Sequence, residues 1–302
     1  MIIDIHTHSF PEKIAASTIQ KLSGLSHTIP FTDGTEEGIR RTSEVCGIDL
    51  SVVLPVATAP QQVKRINAFA AQKNETWRET GILSFAAAHP DDPDALRELD
   101  DCKERGFPGI KIHPVYQNAD LDDIRYLRIL YRAAELGLLV VTHSGLDVGY
   151  PGAERCSPGM IRHVCQEVGD LPLIAAHMGG WRNWEEVPEL LSDTGVYLDT
   201  SFSVGSMHPL NDGWYSPEDL PMLNAGQFME MVRAFGAERI LFGTDRPWSD
   251  PAECLAFIRD LPLPEGDKDA ILGGNAGRLP GLQRYCLPSA GISKTDEKRI
   301  SS

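Results

Sequence analysis

Residues 2–8 read Ile2-Ile3-Asp4-Ile5-His6-Thr7-His8. A short apolar, β-branched run of this kind suits a strand buried on both faces, as strands of parallel sheets are. The residues just after the run decide the fold. An open, doubly wound sheet would carry a glycine-rich phosphate loop after its first strand; this chain carries His-Thr-His instead. Side chains alternate along a strand, so residues i and i+2 point the same way. His6 and His8 are therefore expected to project together from the strand end.

Seven similar runs come later in the chain, at 50–55, 82–87, 109–112, 138–142, 173–176, 196–198 and 239–242. Helical patterns separate them. Residues 94–105 put Leu96, Leu99 and Cys102 at helical spacing and stop at Gly106, a natural residue just past a helix end. Residues 122–136 carry Ile124, Leu127, Tyr131 and Ala134 before Gly137. Ser157-Pro158 reads as an N-cap and first-turn proline ahead of Met160, Ile161, Val164 and Val168. Residues 61–80 space Val63, Ile66, Ala70 and Trp77 in the same way. Eight strand–helix units with no strand left over predict an α/β fold, a closed (β/α)8 TIM barrel forming a single domain over 1–288. Residues 289–302 form a polar tail. Two connections, 9–34 and 201–224, are long, and long loops in compact domains are usually functional. The second holds His208, Trp214 and Tyr215 and is expected to help cover the pocket.

Barrel strands deliver their C-terminal ends to one face, where active sites form. The ends here carry His6 and His8 after the first run, Lys111 and His113 at the fourth, His143 at the fifth, His177 at the sixth and Asp245 at the eighth. A lone His-x-His is common. Combined with two more strand-end histidines and an aspartate, it points to a divalent ion with room for further ligands and water. The bland alternative makes His143 and His177 satisfied core histidines. Lys111 could bind a substrate anion or form a structural ion pair. His113 shares its face, to touch substrate or buttress the site. Arg246 could meet a substrate carboxylate or pair with an acid of the barrel rim. Trp181, Trp184, Trp214 and Tyr215 are candidates for the pocket wall. His89 lies near the mouth, whereas His27, His163 and His208 read as surface residues.

With these residues in view, the chain resembles the amidohydrolase superfamily, in the branch that includes aminocarboxymuconate-semialdehyde decarboxylase. The resemblance rests on Asp4-Ile5-His6-Thr7-His8, His143 in Val-Thr-His-Ser-Gly, His177 in Ala-His-Met-Gly-Gly, Asp245 in Phe-Gly-Thr-Asp, and a closing segment with Asn275-Ala276 and Arg278-Leu279. It implies a distorted barrel and one divalent metal, zinc being the expected ion, held by His6, His8, His143 and Asp245. Asp245 would also take a proton from a bound water, and His177 would orient that water or polarise the substrate. In some superfamily members a carboxylated lysine at the place of Lys111 bridges a second metal. The first expectation for function is hydrolysis of an amide, lactone or ester-like bond in a small carboxylate-bearing substrate through a metal-activated water. The alternative is non-oxidative, metal-dependent decarboxylation of an aromatic or muconate-type acid. A catalytically dead barrel used for binding would have lost some ligands, and none is missing.

The formal charge is −15, which repels phosphate backbones and argues against a nucleic-acid partner. The six cysteines include no Cys-x-x-Cys pair and read as reduced thiols. Neither a signal peptide nor an apolar stretch of about 18 residues is visible, so a cytoplasmic protein with a small-molecule substrate and no membrane partner is expected. Assembly into a homo-oligomer stays open.

Overall fold

The computed structural model describes residues 1–286; the boundary expected after 288 and the tail 289–302 lie outside them. Each apolar run forms a parallel strand. In chain order these are β1 (Ile3–Thr7), β2 (Leu50–Val53), β3 (Ile82–Ser84), β4 (Ala86–Ala87), β5 (Gly109–Ile112), β6 (Leu139–Thr142), β7 (Leu173–Ala175), β8 (Tyr197–Asp199) and β9 (Ile240–Leu241). β3 and β4 are halves of one strand interrupted at Phe85: β3 pairs with β2, and β4 pairs with β5. The strands run in the order β1-β2-β3 and β4-β5-β6-β7-β8-β9. The last strand returns to the first. Ile5 N–H donates to Phe242 O (2.9 Å), Asp245 N–H donates to His6 O (2.8 Å), and Thr7 and Arg246 form a parallel bridge. The fold is a distorted (β/α)8 barrel.

Period-2 alternation sorts the strand residues into two cores. Ile110, Ile112, Val140, Leu173, Leu198 and Ile240 face the outer helices. Phe85, Leu139, Val141, Ile174 and Leu241 fill the barrel interior, which Ala276, Leu279 and Leu282 close. Gly109 permits the tight β5–β6 contact, since a Cβ there would lie 2.4 Å from Leu139 O.

The helices are α1 (Glu12–Ser26), α2 (Glu36–Cys46), α3 (Val63–Asn74), α4 (Trp77–Thr80), α5 (Ala95–Glu104), α6 (Ile124–Leu136), α7 (Pro158–Val168), α8 (Val187–Leu191), α9 (Ala225–Phe235), α10 (Pro251–Asp260) and α11 (Glu265–Asp269). Ser157 caps α7 by accepting from Met160 N–H, with Pro158 at its first turn. The expected helix over 61–80 is broken after Asn74, and a second short helix begins at Trp77. The buried face of α6 is Tyr126, Ile129, Leu130 and Ala133, not the expected one: Ile124 and Tyr131 are exposed. The connection over 9–34 contains α1. No helix among the described residues is long and apolar enough to cross a membrane, and all six cysteines are free thiols.

Candidate metal centre

The alternation that fills the barrel also builds the site. Above Leu139 and Val141 on the interior parity comes His143; above Leu241 come Gly243 and Asp245; Lys111 and His113 occupy that parity on β5, and Asp199 ends β8. Gly243 leaves room for His6, because a Cβ there would sit 2.9 Å from His6 Cβ. The β1–β2 register shifts between Asp4 and Thr7, at the entrance to the histidine pair, as irregularities often do at barrel rims.

His6 is buried, and its Nδ1 lies 2.8 Å from Asp199 Oδ2 and 2.9 Å from Ser201 Oγ. His8 Nδ1 donates to Leu54 O at 2.8 Å. With Nδ1 of each ring engaged behind it, Nε2 of each imidazole is turned forward. The two Nε2 atoms face Asp245 Oδ1 at 3.3 and 3.0 Å. Asp245 Oδ1 is buried and has no hydrogen-bond partner. Two lone pairs and a carboxylate oxygen that converge without a proton between them fit a divalent ion. Lys111 Nζ lies 3.3 Å from His6 Nε2.

The structure gathers His6, His8 and Asp245 and places His143 in a neighbouring group with His113 and Asp147. His177 Nδ1 donates to Ser201 O (3.0 Å), and its Nε2 meets His143 Nδ1 at 3.1 Å. His143 Nε2 is then a buried nitrogen without a partner; it lies 3.8 Å from Asp147 Oδ2. His113 stacks between Tyr116 and His143, with ring centroids 3.9 and 4.2 Å away. Its Nδ1 receives the Tyr116 N–H at 3.4 Å, and its Nε2 lies 3.6 Å from Asp147 Oδ2.

Burial sets most of the proton equilibria here. It drives His6, His113 and His143 well below the usual imidazole value, lowers His177 and brings Lys111 down to about 8. It raises Asp199 and pushes Asp147 up to about 7. Burial also works to raise Asp245, but the His8 and His6 imidazoles outweigh it and hold that carboxyl below its ordinary value.

Arg246 is turned into the barrel wall. Its fully buried guanidinium pairs with Asp4 Oδ2 at 2.7 Å, and its other donors go to Ser51, Thr42 and Ser43 hydroxyls at 2.8, 2.8 and 2.9 Å. With its donors taken inside the wall, Arg246 ties β1 to α2 through an ion pair with Asp4. His163 is exposed beside Asp122. In the 201–224 segment, Trp214 stacks on His27 at 4.4 Å, and Tyr215 OH donates to Val148 O at 3.0 Å, so the segment touches the connections that follow β1 and β6. Trp181 and Trp184 are buried. His89 is also buried, and its Nδ1 accepts the Asp91 N–H at 3.1 Å.

Sequence reading missed three residues. Asp199 accepts from His6 and, through Oδ1, from the His177 and Ser201 N–H groups at 3.1 and 3.0 Å. Ser201 Oγ bridges His6, His177 and Asp199. Asp147 faces His113 and His143. The available signal was that Asp199 shares its strand-end position with the residues that were found.

With the fold and these donors established, the class follows: the amidohydrolase family model matches residues 3–282, and the chain belongs to that family. A gamma-resorcylate decarboxylase from Polaromonas sp. is 24% identical, the match covering 78% of this chain and 83% of the relative. Among solved structures, a dihydroxybenzoic acid decarboxylase from Polaromonas sp., with bound manganese and the inhibitor 2-nitroresorcinol, superposes with a TM-score of 0.64 at 18% identity, covering 96% of this chain and 99% of that one. The 5-carboxyvanillate decarboxylase of Sphingomonas paucimobilis gives 0.63 at 16% identity, over 92% and 98% of the two chains.

Proposed function

We propose that this chain is a divalent-metal-dependent, non-oxidative decarboxylase of a hydroxylated aromatic acid. The observation that carries the reading is the buried convergence of His6 Nε2, His8 Nε2 and Asp245 Oδ1, in a chain whose three relatives just described are decarboxylases of aromatic acids. Those relatives favour decarboxylation over hydrolysis, which the sequence suggested first. They also leave the ion open: manganese is bound in one of them, and an imidazole–carboxylate donor set accepts manganese or zinc.

In the proposed reaction the ring carbon–carboxylate bond breaks, carbon dioxide leaves, and a proton takes its place on the carbon. A divalent ion bound by His6, His8 and Asp245 would supply an electrophile for the oxygen atoms of the substrate. Asp199 and Ser201 hold His6 and His177 with their Nδ1 protons directed backwards. Asp245, ionised at rest, would take a proton from a substrate hydroxyl or a water and pass it to the ring carbon, and His177, fixed by Ser201 O, orients the substrate beside it. The 201–224 segment limits access of water from the mouth.

The test is a substrate panel on metal-loaded protein, with hydroxybenzoates and a muconate-type acid set against lactones and amides. Carbon dioxide release from the hydroxybenzoates is expected. Ring opening of a lactone or cleavage of an amide, without carbon dioxide from any acid, would return the chain to the hydrolases.

A further inference from the structure

We infer that Lys111 is the anion-binding group of this site, and that metal binding releases it from His6 to receive the carboxylate or phenolate oxygen of the substrate. The inference rests on the decarboxylase reading for its ligand class, but on the geometry alone for the displacement.

Lys111 is almost wholly buried, and no carboxylate oxygen among the described residues lies within 4.0 Å of its Nζ. Its polar contact is His6 Nε2 at 3.3 Å. A buried ammonium without a touching counter-ion is costly, so Lys111 lacks a directly contacting anion at this point. The nearest carboxylates are engaged elsewhere. Asp199 accepts from His6, Ser201 and the His177 backbone, and Asp245 faces the two histidines.

The His6 lone pair can serve only one partner. Because His6 Nδ1 donates to Asp199, Nε2 offers a single forward-facing pair. Lys111 uses it now, and an ion held with His8 and Asp245 would need the same one. Ion binding therefore expels the ammonium, and its flexible four-carbon stem allows the move. It stays on the interior face of β5, above which the reacting acid must lie, and an incoming organic anion is the partner it lacks. A lysine that instead captured carbon dioxide to bridge two ions would strengthen metal binding, so the two roles differ in sign.

The experiment uses the full chain and Lys111→Met, with Lys111→Gln read in the same way in case the methionine variant fails to fold. Zinc affinity is measured without substrate, by competition with a chromogenic chelator. Salicylate affinity is measured by calorimetry on the zinc-loaded proteins. Loss of the competing charge-assisted contact should tighten zinc by about tenfold and weaken salicylate by at least about tenfold. Weaker zinc in the variant, unchanged salicylate affinity, or a zinc-loaded wild type that does not bind salicylate would overturn the inference. Failure of the decarboxylase reading shows differently, as salicylate binding that depends on Lys111 with no carbon dioxide released from any acid.

Discussion

Two groups of a similar kind stand side by side in this barrel, each made of two histidines and one aspartate. In the first, His6 and His8 have their Nδ1 protons tied down by Asp199 and Leu54 O, and both Nε2 lone pairs face an unpartnered oxygen of Asp245. In the second, His113 and His143 stack almost parallel, with 13° between their planes. His113 Nδ1 accepts a backbone N–H, which leaves the proton on Nε2, beside Asp147. Burial keeps Asp147 protonated up to about pH 7. The first group turns three donor atoms towards one point, and the second retains a proton. Residue type does not separate the two groups; the partner behind each imidazole does.

The largest test of that contrast is Asp245→Asn. The amide keeps a ligating oxygen but cannot carry the proton, so turnover should fall by about 10²–10⁴-fold while some metal is retained. Metal content and kcat on one preparation decide it, and near wild-type turnover in a loaded variant would move the proton to His177. Next comes Asp199→Asn, which removes the charge behind His6. Metal affinity should drop by about 10–100-fold with the melting temperature of metal-free protein held; unchanged affinity would show that the backing carboxylate does not tune the first group.

The smallest effect belongs to the second group. The folded-state value of about 7 for Asp147 lies above its ordinary 3.8, so between those values the folded chain holds a proton that the unfolded chain has lost. Stability must then fall as pH rises through that window and level off above it. Asp147→Asn removes this dependence. In chelator, the variant should gain on the wild type between pH 4 and 7, reaching roughly 1–3 kcal/mol. Urea unfolding at pH 5 and pH 8 measures it; a difference that does not change with pH would mean that Asp147 is ionised in the folded chain.

The barrel was legible because each of its strands is a short apolar run, and parallel strands covered on both faces leave that mark. The break at Phe85 left none, since both halves of that strand are apolar. α1 was passed over because it lacks a side-chain N-cap, starting after Pro11, and buries only scattered residues such as Ala15 and Ile19. α6 was phased wrongly because Tyr126, Ile129 and Leu130 lie as close to the expected apolar stripe as Ile124 and Tyr131 do, and only packing against α5 and the sheet selects between them. In the site, histidines at strand ends stood out by type and position. Asp199 and Asp147 did not, because a single aspartate near a strand end is ordinary; their roles come from partners distant in the chain. The separation of His143 from His6, His8 and Asp245 was equally out of reach, since it depends on which way one imidazole turns towards His177.

The central claim is that one of the two groups holds the metal. Metal content by mass spectrometry, on protein purified without added metal, tests it most directly in the wild type, in the double variant His6→Ala with His8→Ala, and in His113→Ala. The account predicts a stoichiometric divalent ion in the wild type and in His113→Ala, and none in the double variant. A stoichiometric ion in the double variant, or its loss from His113→Ala alone, would contradict it.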